Sequence, residues 1–266
     1  GLTGSPVYID VVTSTVYFQI CKANYTTVTG SQTVAISQKA VTVTADDKTK
    51  VFGAADPVLT ATVSGSLNGD TIVYVLSRAA GGNAGTYAIS ASGEVSQGNY
   101  AVTCKSGTLT ITAKPAADLT VTPAQTSVVY TGSAIEPAVT VKDGDTVLTA
   151  GQYTVSYTDN TDVGTATITV TVTDPNYTGT KTATFQITPA TIEYTASGYS
   201  GIYDANGHGI TVTASGFTVR YGTVDGTYGL TDSPVHTDVG TSTVYFQISK
   251  ANYTTVTGSQ TVAISQ

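Results

Sequence analysis

Apolar and hydroxyl-bearing side chains alternate along most of this chain. Val41-Thr42-Val43-Thr44, Tyr153-Thr154-Val155-Ser156-Tyr157 and Ile210-Thr211-Val212-Thr213 each set bulky apolar groups on one side and Thr or Ser on the other. That period of two belongs to a strand with one face against a core. Gly, Asn and Pro punctuate these segments and mark turns. No apolar run approaches the roughly 18 residues that a membrane helix requires. The pattern predicts an all-β chain of short strands that does not span a bilayer here.

Internal repetition sets the organisation. Residues 1–38 recur as 229–266, with five differences: Gly4 for Asp232, Tyr8 for His236, Ile9 for Thr237, Val12 for Gly240 and Cys21 for Ser249. Copies so similar imply a recent duplication, and a period on this scale is the mark of an array. A weaker period lies inside the long one. Asn24-Tyr25, Asn99-Tyr100, Asn176-Tyr177 and Asn252-Tyr253 fall at spacings of 75, 77 and 76 residues. Upstream of the last three sits a small-residue turn: Asn83-Ala84-Gly85, Asp162-Val163-Gly164 and Asp238-Val239-Gly240. Downstream come closing strands at Thr108–Ile111, Thr184–Ile187 and Thr261–Ile264.

These anchors predict three complete domains, 39–113, 114–189 and 190–266, preceded by the C-terminal half of a fourth at 1–38. Each complete domain is expected to be a sandwich of about seven short strands. The joints, Ala113-Lys114-Pro115 and Thr188-Pro189-Ala190, are so short that neighbours are expected nearly end to end, as a rod. A domain of this size buries only about 60–65% of its unfolded surface, so neighbour contacts should add stability.

The turns Asp162-Val163-Gly164-Thr165 and Asp238-Val239-Gly240-Thr241 resemble the approach to strand F of immunoglobulin-like domains. There a Tyr two residues after the Gly closes a corner; Tyr87 holds that place, whereas Ala166 and Ser242 replace it elsewhere. Residues 39–113, with Phe52-Gly53-Ala54-Ala55-Asp56-Pro57 and Gly85-Thr86-Tyr87, resemble an MBG-type repeat of bacterial surface proteins. Residues 114–189 and 190–266, with Tyr130-Thr131-Gly132 and Tyr203-Asp204-Ala205-Asn206-Gly207-His208, resemble bacterial Ig-like repeats of large secreted adhesins. The resemblance implies a linear array of small Ig-like β-sandwich domains with an N-terminal half-domain. It also implies an extracellular place on a bacterial cell surface and a spacer or adhesive role, and it supplies no catalytic residues.

Composition narrows the chemistry. A net charge of −7 with 11 basic residues, none clustered, argues against nucleic acid. The histidines His208 and His236 lie in polar, turn-like segments, and no nucleophile with a base beside it is evident, so the chain is not expected to be an enzyme. Asp46-Asp47, Asp143-Gly144-Asp145, Asp159 with Asp162, and Asp204-Ala205-Asn206-Gly207 could offer oxygens to Ca²⁺. None has EF-hand spacing, and Asp serves turns on its own account, so no cofactor is expected. Lys–Asn cross-links would need an acid nearby, with Glu94, Glu136 and Glu193 the candidates, yet no Lys sits on an apolar strand face. Tyr supplies 17 aromatics against 5 Phe and no Trp. Strand packing accounts for most of them, and a glycan-binding patch in the last domain is the alternative.

Two cysteines outside a cell suggest a disulfide. Cys21 and Cys104 occupy the same pole of successive domains, about one domain length apart, and a disulfide tolerates only about 7 Å between Cα atoms. Bonding between chains is then the sharper expectation, two unpaired thiols the plainer one. The changes that give Tyr8, Ile9 and Val12 turn polar positions apolar, and a half-domain leaves strand edges open. Residues 1–38 are expected either to pair with a neighbouring subunit, building a fibre, or to be a repeat cut mid-way. With no leader before Gly1 and no anchoring motif at the end, the sequence is expected to be a processed or excised piece. The function expected is a structural segment of a surface fibre or adhesin stalk; the alternative is a module that holds a host glycan or protein.

Overall fold

The structure, a computed structural model, describes residues 4–67 and 69–266; Gly1, Leu2, Thr3, the first part of the duplicated segment, and Asn68 lie outside the described residues. Strands account for nearly all regular structure, with one short 3₁₀ turn at Ala116–Asp118. Two compact units divide the chain. The first holds Gly1–Pro115 with Asp174–Thr178, and the second holds Ala116–Thr173 with Gly179–Gln266.

In the first unit, residues 39–113 form two four-stranded sheets. One runs Lys48–Val51, Gly107–Thr112, Gly85–Ser92, Val75–Arg78; the other runs Ala61–Ser64, Lys39–Ala45, Tyr100–Lys105, Ser96–Gln97. The alternation read from sequence is realised here. Val41, Val43 and Ala45 are buried while Thr42 and Thr44 lie nearer the surface, and Ile89, Leu109 and Ile111 fill the interior from the facing sheet. A Val, Leu or Ile so buried is worth about 1.5–3 kcal/mol. The strand count exceeds the seven expected, because short two- and four-residue strands flank the long ones.

The second unit repeats the plan. The sheet Ser127–Val129, Thr180–Thr188, Gly164–Val172, Tyr153–Thr158 has the same order and the same mix of directions as its counterpart. So does the sheet Tyr199–Ile202, Val256–Ser265, Gly240–Ser249, Thr218–Gly222. In each, the first strand runs parallel to the closing strand, which no hairpin can achieve and which therefore sets the sandwich topology. Phe185 and Phe246 are the largest fully buried side chains. The ring of Phe246 lies over Gly258 of the neighbouring strand, where a Cβ would stand 2.6 Å from the ring.

Residues 12–36 contain only the two central strands of that sheet. Val12–Ile20 and Val28–Ile36 pair antiparallel, and neither pairs with any other strand among the described residues. Among the described residues no strand comparable to Thr218–Gly222 or Tyr199–Ile202 flanks them. Phe18 is 43% exposed and Ile20 65%, whereas their counterparts Phe246 and Ile248 stand at 2% and 0%. Nearly the same residues thus form the same hairpin in both places, and among the described residues only the second is packed into a core.

Candidate functional site at the repeat joints

The Asn-Tyr pairs are the residues the sequence singled out without explaining. Each complete pair sits on a turn at the pole of its repeat, where the asparagine makes three bonds. In the first unit, the Asn99 carbonyl accepts the Lys39 amide at 2.8 Å, Asn99 Oδ1 accepts the Val11 amide at 2.8 Å, and Nδ2 donates to Asp10 Oδ1 at 2.9 Å. Also in the first unit, the Asn176 carbonyl accepts the Lys114 amide at 2.9 Å, Oδ1 accepts the Ala84 amide at 2.8 Å, and Nδ2 donates to Asn83 Oδ1 at 3.4 Å. In the second unit, the Asn252 carbonyl accepts the Ala190 amide at 3.0 Å, Oδ1 accepts the Val163 amide at 3.0 Å, and Nδ2 donates to Asp162 Oδ1 at 2.8 Å. Each asparagine therefore ties the chain entering its own repeat to the small-residue turn of the repeat before.

The turn that receives the asparagine is shaped by glycine. Gly85, Gly164 and Gly240 have φ of 149°, 147° and 151°, a region closed to side chains with a Cβ. The amides just before two of these glycines, at Ala84 and Val163, make the bonds to asparagine. Val12 stands where the duplicate has Gly240 and does not share the positive φ, yet Val11 still donates to Asn99.

An aromatic contact completes two of the joints. Tyr177 meets Phe52 edge-on with centroids 5.4 Å apart, and Tyr253 meets Tyr130 in the same way at 5.6 Å. Such pairs contribute about 0.5–1.5 kcal/mol beyond area burial. Phe52 and Tyr130 are equivalent: each follows the parallel strand, and their amides donate to the closing-strand carbonyls of Thr112 and Thr188. Tyr203 is the third of this set, its amide on the Ser265 carbonyl, and it is 52% exposed.

The remaining candidates fall outside this arrangement. Tyr87 closes its corner as expected, its hydroxyl donating to the Asn83 carbonyl at 2.9 Å; among the described residues Ala166 and Ser242 make no such bond. Asp46 accepts from Thr60 and Thr62, whose hydroxyls hold its carboxyl below the ordinary range, and Asp47 accepts the Thr108 amide. Lys50 and Arg78 bind Asp56 and lower its pKa likewise. Asp204 is braced by His208 at 2.9 Å and by Asn206, which bring its pKa down to about 2. The His208 ring stacks on Tyr199 at 3.7 Å. Among the described residues no group of three or more His, Cys, Asp or Glu gathers as a metal would require.

Cys21 is exposed, while Cys104 is half-buried against the core around Val41, Val43 and Val102; both are free thiols. Of the apolar substitutions in the first copy, Ile9 is 84% exposed. Tyr8 bonds Ser14 and Val12 opens its strand opposite Ile36. A groove of about 800 Å³ runs along the uncovered hairpin, lined in part by Val16, Phe18, Cys21 and Val34.

Comparison with known proteins assigns the repeats. Residues 41–110 match the MBG domain of YGX type, and residues 119–191 match the MBG domain. The second match falls within the stretch from 114 onward that also resembles a bacterial Ig-like repeat. No curated protein matches the sequence. Among solved structures, the N-terminal eight Ig domains of DSCAM align over 95% of this chain and 43% of theirs, at 10% identity and a TM-score of 0.28. The insect immune protein hemolin aligns over 93% and 71%, at 12% identity and 0.25. Drosophila N-cadherin EC1-4 aligns over 95% and 84%, at 9% identity and 0.23. The chain belongs to the MBG-domain family, carrying two MBG domains in tandem.

Proposed function

We propose that this chain is a structural spacer of an extracellular bacterial surface protein, a fibre or adhesin stalk, in which asparagine-clamped joints hold successive repeats in fixed relation. The observation that supports this reading is the recurrence of one bonding pattern at Asn99, Asn176 and Asn252. A binding module has no need to repeat its joint chemistry, whereas a spacer transmits its geometry through every one. We also propose four segments, 1–38, 39–113, 114–189 and 190–266, and no catalytic role or bound cofactor.

Replacing all three asparagines by glycine tests this. Small-angle scattering should show a broader distance distribution for the triple variant with each repeat still folded by circular dichroism. An unchanged distribution would remove the joints from the account. The adhesive alternative draws on Tyr194 and Tyr203, 41% and 52% exposed. A glycan or host-protein screen that returned saturable binding, lost on Tyr194→Ala, would favour it. Fibre growth through Tyr8, Ile9 and Val12 on the open hairpin, with Cys21 as the outward thiol for a bond between chains, belongs to the same structural reading. It predicts reductant-sensitive assemblies that vanish when residues 1–38 are removed.

A further inference from the structure

The pole of the last repeat carries every element of a joint, and none of the described residues occupies it. Tyr203 is the equivalent of Phe52 and Tyr130, which each hold a tyrosine, and Asp238-Val239-Gly240 is the equivalent of Asp162-Val163-Gly164, which holds Asn252. Gly240 has nearly the same φ as Gly164, 151° against 147°, and Val239 holds the place of Val163 before it. Val239 is 49% exposed, and neither its amide nor the Asp238 carboxylate has a partner among the described residues.

The complementary half stands in the first repeat. Residues 22–38 are identical to 250–266, and the turn is already formed. Asn24 has φ of 68° where Asn252 has 69°, and the Tyr25 amide donates to the Lys22 carbonyl at 3.0 Å as Tyr253 does to Lys250 at 3.2 Å. Lys22 sits 5.3 Å over the Tyr25 ring, as Lys250 sits 5.7 Å over Tyr253. Tyr25 is 71% exposed, whereas Tyr177, seated in its joint, is 9% exposed.

We infer that the Asp238-Val239 turn and Tyr203 of one molecule receive Asn24 and Tyr25 of a second copy of this chain, building a head-to-tail contact with the bonding of the internal joints. Asn24 Oδ1 accepts the Val239 amide, its Nδ2 donates to Asp238, and Tyr25 packs edge-on against Tyr203. This rests on reading the asparagine joints as inter-repeat connectors. The contact is heterologous, so it propagates rather than closing on itself. Inside the chain, tethering supplies an effective concentration on the order of millimolar; between molecules the joint must form without it and is weak.

The test is sedimentation equilibrium of the whole chain under reductant, from about 0.01 to about 1 mM, the range that the missing tether implies. Weight-average mass should rise with concentration for the native chain and stay monomeric for Asn24→Ala and for Asp238→Ala. Mixing those two variants should not restore growth beyond a dimer, because only one intact joint remains between them. In ¹⁵N spectra the Val239 amide should shift with concentration in the native chain alone. A native chain monomeric throughout overturns the proposal. So does association that survives both substitutions but is lost on Phe18→Ser, which would place the contact on the open hairpin. Asn252→Gly, which disturbs only the internal joint, should leave self-association intact. Failure of the connector reading would therefore appear there and in the scattering, separately from failure at Asn24.

Discussion

Replacing Asn252 separates a joint from the fold that carries it. Asn252 combines two roles: it adopts a left-handed conformation at φ 69°, and its side chain bonds Val163 and Asp162. A left-handed residue with a Cβ costs about 1–2 kcal/mol, less for Asn, whose amide is tolerated there. Each net hydrogen bond contributes about 0.5–1.5 kcal/mol, and the one to a carboxylate lies toward the upper end. Asn252→Gly keeps the backbone free and loses only the clamp, for about 1–2 kcal/mol. Asn252→Ala loses the clamp and takes on the backbone strain as well, for about 2–3 kcal/mol. For a domain of this size 1 kcal/mol moves the midpoint by about 4–8 °C. Differential scanning calorimetry should therefore order the midpoints native, Gly variant, Ala variant, and hydrogen exchange should show the Val163 amide deprotected in both variants. Equal protection of Val163 in native and Gly variant would refute the clamp, whatever the melting temperatures did.

The duplicated hairpin offers an internal control: Phe246→Ala should cost about 3–5 kcal/mol, as buried Phe truncations do, while Phe18→Ala, at 43% exposure, should leave the calorimetric transitions of the other repeats in place. Tyr87→Phe removes the corner bond to the Asn83 carbonyl and should lower the 39–113 transition by about 0.5–1.5 kcal/mol, with no counterpart at Ala166. Gly164→Ala, at φ 147°, should destabilise by about 1–3 kcal/mol and be checked by the same calorimetry. Acid should weaken the fold from one direction. Asp46, Asp56 and Asp204 all have folded pKa values below their ordinary 3.8, Asp204 at about 2. Their contribution is full above that ordinary value and is lost as pH falls through the folded values. Melting temperature should hold between pH 7 and pH 5 and drop between about 4 and 2. Asp204→Asn should flatten the lower part of that drop, and an unchanged acid profile in that variant would refute the assignment.

Alternation alone placed Val41 and Val43 on one side and Thr42 and Thr44 on the other, because a strand has no other way to arrange a period of two. The repeat spacing located the Asn-Tyr pairs and the glycine turns, and with them the strands Gly85–Ser92, Gly164–Val172 and Gly240–Ser249. The aromatic two residues after Gly85 was legible as a corner. None of this could tell what the asparagines bind. Asn252 and Val163 are far apart in sequence, and they meet where the chain entering the last repeat at Ala190 bridges in parallel to Tyr253 and seats the Asn252 turn against the preceding repeat. The equivalence of Phe52, Tyr130 and Tyr203 was hidden for the same reason. It appears when their amides are seen on the closing strands, a non-local relation that no local pattern encodes. Most telling is the hairpin written twice. Seventeen identical residues, 22–38 and 250–266, form the same turn and the same following strand in both places, so local conformation follows from the sequence. Whether Phe18 or Phe246 is buried depends on strands the hairpin does not contain, because apolar surface leaves water only when another surface arrives to cover it.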